Sequence, residues 1–165
     1  MSITIRIATI EDMPSVLEIV NHEILHSTSI WDYDRRTLEQ QTTIFENKKE
    51  HHFPIIVAEN EGKIIGFGTY GSFRFKIGDQ FTVEHSVYVH QDFHGNGIGK
   101  MLLLELISLA KAQELHTMIG VIDAENTGSI VFHEKLGFKN TGHLKETGFK
   151  FGKWLDSVFM QLILE

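Results

Sequence analysis

The chain has 165 residues, 42% of them hydrophobic and 10% aromatic, which suits one domain with a core of ordinary size and requires no second. A formal net charge of −7, with no run of Lys or Arg, argues against a nucleic-acid backbone as partner. Cysteine is absent, which excludes a disulfide framework, a thiolate zinc site and a cysteine acyl-enzyme.

Residues 1–8 alternate Ile3, Ile5 and Ile7 with polar side chains and carry no basic leader, so they read as a strand and not as a signal peptide. No apolar run approaches the roughly 18 residues of a membrane span, and a soluble cytoplasmic protein is expected. Thr9 can cap a helix with Asp12 in its first turn, and Met13, Val16, Leu17, Val20 and Ile24 form its apolar stripe. Residues 26–32 read as a loop, followed by a second helix over 37–48 with Leu38, Ile44 and Phe45 inward. Residues 53–59 and 64–70 are paired strands around an Asn60-Glu61-Gly62-Lys63 turn, and 81–89 adds another. A helix from Gly97 or Ile98 to about Ala112 buries Ile98, Met101, Leu102, Leu106 and Leu109. The β-branched stretch 117–122 follows as a short buried strand. Asn126 or Thr127 opens the next helix, Gly137 suits its C′ position, and strands near 142–151 and 154–164 close the chain. This order predicts an α/β fold: a mixed, mostly antiparallel central sheet with helices on both faces.

The densest signal lies in residues 81–109, where an apolar strand meets an amphipathic helix through His94-Gly95-Asn96-Gly97-Ile98-Gly99-Lys100. Glycines at 95, 97 and 99 let backbone N–H groups approach a ligand at a helix N-terminus, whose partial positive charge favours a pyrophosphate. A tight strand-to-helix connection without a ligand accounts for the glycines equally well. Two common phosphate loops fail on spacing. A P-loop needs glycine at 94 and Ser or Thr after Lys100, where the chain has His94 and Met101. A dinucleotide fingerprint needs G-x-G-x-x-G early in a βαβ unit, whereas G-x-G-x-G stands here past mid-chain.

On the strand, Thr82, Glu84, Ser86 and Tyr88 share one face while Val83, His85, Val87 and Val89 share the other. A carboxylate in so apolar a strand is out of place. Either Glu84 pairs with a buried Arg or Lys, or burial raises its pKa toward the range of a general base. Ten histidines raise the question of a metal, but His51 and His52 are adjacent on the chain and no ligand spacing such as H-E-x-x-H occurs. No metal is expected.

The glycine loop resembles motif A, Q/R-x-x-G-x-G/A, of the GNAT superfamily of N-acetyltransferases, with Gly97 and Gly99 at its small-residue positions and His94 at the first. Residues 124–138, AENTGSIVFHEKLGF, resemble its motif B. Residues 82–89, Asn21-His22, 27–32 and 148–156 narrow the likeness to the phosphinothricin and methionine sulfoximine acetyltransferases, over nearly the whole chain.

The resemblance implies acetyl-CoA as cofactor, held by Val87, Tyr88, Val89, His94, Gly95, Asn96, Gly97, Ile98, Gly99, Lys100, Asn126 and Ser129. It places the catalytic base at Glu84. An acceptor amine must lose its proton before it can attack a thioester, and α-amino groups are largely protonated at pH 7. Amides of 87–89, where the strands splay for the pantetheine arm, would stabilise the oxyanion. His133 stands where many members have a Tyr that protonates the leaving thiolate, and His suits that task near neutral pH. With no cysteine, the expected route is direct attack in a ternary complex.

For the acceptor, the resemblance points to Trp31, Arg74, Phe75, Lys76, Glu84, His85 and Ser86, with Arg74 gripping a carboxylate. Tyr33 and Trp154 would add aromatic walls, and Lys150 and Lys153 positive charge. It further implies a homodimer and a small amino-acid analogue as the amine substrate. Rival expectations are acetylation of protein N-termini or polyamines, and a non-catalytic acyl-CoA sensor.

Overall fold

A computed structural model describes residues 1–165. Seven strands form one sheet: β1 (Ile3–Ile7), β2 (Ile55–Asn60), β3 (Lys63–Ser72), β4 (Thr82–Val89), β5 (Thr117–Asp123), β6 (Lys139–Lys150) and β7 (Lys153–Ile163). Four helices join them: α1 (Met13–His26), α2 (Leu38–Glu50), α3 (Ile98–Ala112) and α4 (Thr127–Lys135). The spatial order is β1-β2-β3-β4-β5-β7-β6, antiparallel everywhere except between β4 and β5. No helix is long and apolar enough to cross a membrane.

Helices cover both faces of the sheet, as the element order led us to expect. On one face, Met13, Val16, Ile19, Val20 and Ile24 of α1 pack on Ile55, Val57, Ile64 and Phe67. On the other, Ile98, Leu102, Leu103 and Leu106 of α3 pack on Ile56, Ala58, Ile65, Val83, Met118 and Met160. Each fully buried leucine there contributes roughly 1.5–3 kcal/mol. Asp12 fastens the entry to α1: it accepts from the Thr9 backbone N–H at 2.8 Å and from both terminal nitrogens of Arg6 at 2.7 and 2.9 Å. Arg6 and Thr9 hold its carboxyl below the usual carboxylate range.

Several inward positions differ from the sequence reading. In α1 the buried stripe uses Ile19, and Leu17 is only half-buried. In α2, which Thr37 caps by accepting from the Gln40 N–H at 3.1 Å, Leu38 lies outside. Gln41 is buried instead, taking a 2.9 Å hydrogen bond from Arg36. In α3, Leu103 is buried while Met101 is exposed. Strand β6 starts at Lys139, earlier than expected, and two register shifts against β7 bend it. Polar residues at 139–141 hide that start, because an edge strand exposes most of its side chains.

Candidate active site

The parallel ladder between β4 and β5 is short. Thr82, Val83 and Glu84 pair with Thr117, Met118 and Ile119, and pairing stops there. Beyond Glu84, β4 stays bonded to β3 as far as Val89 and β5 stays bonded to β7 on its other edge, but the two no longer bond to each other. Every second N–H of residues 85–89 therefore faces a gap where a strand would have been. A cleft of about 800 Å³ runs through that gap. His85 to Val89 form one wall and Gly120 to Asp123 the other. Residues of the glycine loop and of α4 close one end, and Glu23 and Ser29 reach the other.

The loop is shaped by backbone requirement. Gly95 and Gly97 take φ of +81° and +76°, and Gly97 is the N-cap of α3. A Cβ at either position would meet nothing within 4 Å, so glycine is needed there for its left-handed backbone and not for room. His94 braces the turn through its ring Nε2, 2.8 Å from the Val89 carbonyl oxygen. Asn96 closes it by donating to the carbonyls of Phe93 and His94 at 3.0 and 3.3 Å. Ile98 is buried in the core, which leaves only its amide for the cleft. With the first intrahelical bond running from Met101 N–H to the Gly97 carbonyl, the N–H groups at the start of α3 are left for an anion. The fit to a pyrophosphate therefore rests on main-chain donors at the helix start. Lys100 also lines this end, as do Asn126 and Ser129, where the Asn126 side chain caps α4 by accepting from the Ser129 N–H at 3.1 Å.

The strand's two faces lead to different chemistry. His85 points toward α4, where its Nε2 lies 3.0 Å from Nε2 of His133 and the rings stack at 5.0 Å between centroids. His133 Nδ1 is 2.7 Å from the Ser129 carbonyl oxygen, so it must be the donor there. In the neutral ring Nε2 is then an acceptor, and His85 donates to it. That leaves His85 Nδ1 as a buried lone pair without a partner. Burial, and next the neighbouring His133, push the His85 pKa down to about 3, and burial also lowers that of His133. Both rings are neutral, and the single proton of His133 is committed to Ser129. Gly120 makes room for the pair, since a Cβ there would lie 2.9 Å from His85 Nε2.

Glu84 lies one residue before the gap on the opposite face, toward α1 and α2. It retains solvent access at the residue level, yet the protein around its carboxyl raises the pKa, opposed by the nearby cation of Lys48. Tyr88 shares this face, packs on Phe67 at 5.3 Å and is pushed up to about 12 by burial.

Of the residues expected at the site, His85, Ser86, Val87, Tyr88, Val89, His94, Gly95, Gly97, Ile98, Gly99, Lys100, Asn126, Ser129 and His133 line one cleft. Asn96 supports the loop from outside it, and Glu84, next to His85 on β4, also lies outside its lining. Arg74, Phe75 and Lys76 are exposed and do not border the cleft, Phe75 being 95% exposed. Trp31 does not line it either: its ring lies against Gly148 and its Nε1 donates to the Thr28 carbonyl at 2.7 Å. Lys150, expected to lend charge to the pocket, is buried and donates to the Ser27 and Ile30 carbonyls at 2.7 and 2.5 Å. Lys153 pairs with Glu125 at 2.5 Å.

Sequence reasoning missed Glu23 and Asp123. Glu23 falls on the apolar face of α1, three and four residues after Val20 and Ile19, and that misplacement was its signal. Its Oε2 accepts from Ser27 Oγ at 2.5 Å, while Asp123 Oδ2 accepts from Thr28 Oγ1 at 2.5 Å.

This geometry has counterparts. The model of the acetyltransferase (GNAT) domain matches residues 5–159. An L-methionine sulfoximine/L-methionine sulfone acetyltransferase of Pseudomonas aeruginosa is 41% identical over 100% of this chain and 96% of its own. An acetyltransferase of Salmonella typhimurium, solved with its cofactor acetyl-CoA, superposes with a TM-score of 0.96 at 38% identity, covering 100% of this chain and 95% of that one. A GNAT superfamily phosphinothricin acetyltransferase of Sinorhizobium meliloti, solved in complex with acetyl-CoA, gives 0.96 at 35% identity over 99% and 89%. With the family's domain spanning nearly its entire length and relatives of this identity along all of it, the chain belongs to the GNAT acetyltransferases.

Proposed function

We propose that this protein transfers an acetyl group from acetyl-CoA to the amino group of a small amino-acid analogue of the methionine sulfoximine or phosphinothricin type. The observation that carries the reading is the cleft through the β4–β5 gap, which runs from the glycine loop to the strand that bears Glu84. The substrate class is supported by what the similar enzymes from Pseudomonas and Sinorhizobium act on.

Bound acetyl-CoA would supply the acetyl thioester. The chain's part is to hold its pyrophosphate on the amides of 95–100, lay its arm along the unpaired N–H groups of Val87 and Val89, and exclude water with α4. Glu84 takes the proton from the acceptor amine, directly or through water. Its raised pKa brings it closer to that of a base working near neutral pH. The acceptor attacks in the ternary complex, because the chain offers no cysteine to carry the acyl group. Proton delivery to the thiolate from His133 requires the neutral His85–His133 pair first to gain a proton, which its burial opposes. We therefore assign His133 to shaping the cleft wall and rest the proton chemistry on Glu84. The chain works as a homodimer, a reading supported by Phe149, Phe151 and Trp154, all exposed near the β6–β7 turn. Sedimentation as a monomer at working concentration would dismiss it.

A second reading, acetylation of polyamines or protein N-termini, draws on Glu23 and Asp123 at the cleft and on the distance of Arg74 from it. Thiol release from acetyl-CoA with a panel of amino-acid analogues, diamines and peptides separates the two readings. Glu84→Gln is expected to lower kcat by about 100-fold or more with acetyl-CoA binding retained. Unchanged turnover between about pH 6 and 9 would remove Glu84 from the chemistry.

A further inference from the structure

We propose that Lys48 is a positioning residue for the transfer: its ammonium, fixed beside the sheet by the Tyr70 carbonyl, keeps the Glu84 carboxyl in its charged, proton-accepting form. This rests on the reading of Glu84 as the base.

Lys48 stands in the last turn of α2, between exposed Asn47 and Lys49. A helix-end lysine normally extends into solvent, and Lys49 does so. Lys48 instead turns inward on the face shared with Gln41, Ile44 and Phe45, passing 5.9 Å from the Phe53 ring centroid. Its Nζ donates to the Tyr70 carbonyl oxygen at 2.9 Å. The next residue, Gly71, is the register partner of Glu84 in the β3–β4 ladder. A Cβ on Gly71 would sit 3.1 Å from Nζ, so glycine leaves the ammonium its place directly across from the base. The two charges do not form a direct ion pair; the ammonium acts on the carboxyl across the β3–β4 ladder.

Other charged and titratable groups face this surface, and each is already engaged. From α1, Glu23 takes the hydroxyl of Ser27. From the loop after it, Arg36 is turned to Gln41 and Asp32. On β4 itself Tyr88 stays protonated. Lys48 is the cation that acts on Glu84. Burial raises Glu84 and lowers Lys48 to about 8, and each charge opposes the other's shift. Removing the ammonium therefore lets the Glu84 pKa climb further, so that more of the base is protonated at neutral pH and the acid limb of kcat/KM moves upward.

The test uses the full-length protein with Lys48→Gln, which keeps a donor for Tyr70 but loses the charge, and Lys48→Arg, which restores it. Two readouts are followed: the pH profile of kcat/KM, and the titration of the Glu84 carboxyl by carbon NMR, its resonance identified by its loss in Glu84→Gln. Lys48→Gln is expected to raise both midpoints by about half to one pH unit, with activity recovering at higher pH, and Lys48→Arg to return them toward wild type. If Lys48→Gln fails to fold, Lys48→Met carries the same comparison. An unmoved carboxyl midpoint overturns the proposal and leaves Glu84 as base untouched. A carboxyl midpoint that rises while the activity profile stays still overturns the base reading, and with it any role of Lys48 in the reaction.

Discussion

Replacing Gly148 with alanine tests the packing of β6 against the 27–32 loop, whose Ser29 borders the cleft. The Trp31 ring lies so close to Gly148 that an added Cβ would be 2.3 Å from both Cε3 and Cζ3. Carbon atoms in contact prefer about 3.5–4.0 Å, so the ring must retreat by more than about 1 Å. It cannot do so freely. Its Nε1 is bonded to the Thr28 carbonyl at 2.7 Å, and Lys150 anchors the same loop at Ser27 and Ile30. Overpacking of this kind costs about 1–3 kcal/mol, offset by the roughly 0.4–1 kcal/mol that alanine gains by restricting the unfolded chain. The net loss lowers Tm by up to about 10 °C in a domain of this length. A double-mutant cycle read by urea denaturation isolates the clash: once Trp31→Ala has removed the ring, Gly148→Ala becomes neutral or slightly stabilising. Wild-type stability of Gly148→Ala in the presence of Trp31 would refute the stacking and the fixed position of this loop.

Two further outcomes concern parts of the fold that support the site. Gly97→Ala is expected to lose about 1–2 kcal/mol of stability because φ is +76° there, and Gly97→Asn markedly less, since asparagine tolerates that region; equal losses in thermal denaturation would point to a steric cause. Asp12→Asn is expected to cost about 1–2 kcal/mol at neutral pH. The folded pKa of Asp12 lies below its ordinary 3.8, so this stability is present above that value and fades as pH falls toward the folded one. Urea midpoints for wild type and Asp12→Asn should converge under acid, and a constant gap down to the lowest pH would remove the Arg6–Asp12 linkage as its source.

What the sequence carried of the site was mostly local. The left-handed glycines, the strand before them and the Asn126 cap each depend on neighbours within a few residues, and such features read directly from spacing. Alternation along β4 also separated Glu84 from His85 correctly. It gave no hint that α4 covers only the face of His85, so that Glu84 and His133 belong to opposite sides of the sheet. Helix stripes were legible apart from one misplaced residue in each of α1, α2 and α3. Choosing Leu17 over Ile19, or Leu38 over Gln41, depends on how a helix is rotated against the sheet, and tertiary packing sets that. Lys48 and Lys150 were hidden for a related reason. Their partners are backbone carbonyls on distant segments, and a carbonyl leaves no mark on residue identity.

The ammonium of Lys150 is shared between a terminal hairpin and the loop whose Ser29 borders the cleft, and this makes the two segments one mechanical unit. Any exchange of residues 27–32 has to keep the chain path that offers the Ser27 and Ile30 carbonyls to this buried cation, and a side chain at 31 has to lie flat against the Gly148 backbone. A loop of different path or length therefore needs the matching hairpin grafted with it, because one ammonium ties the two together.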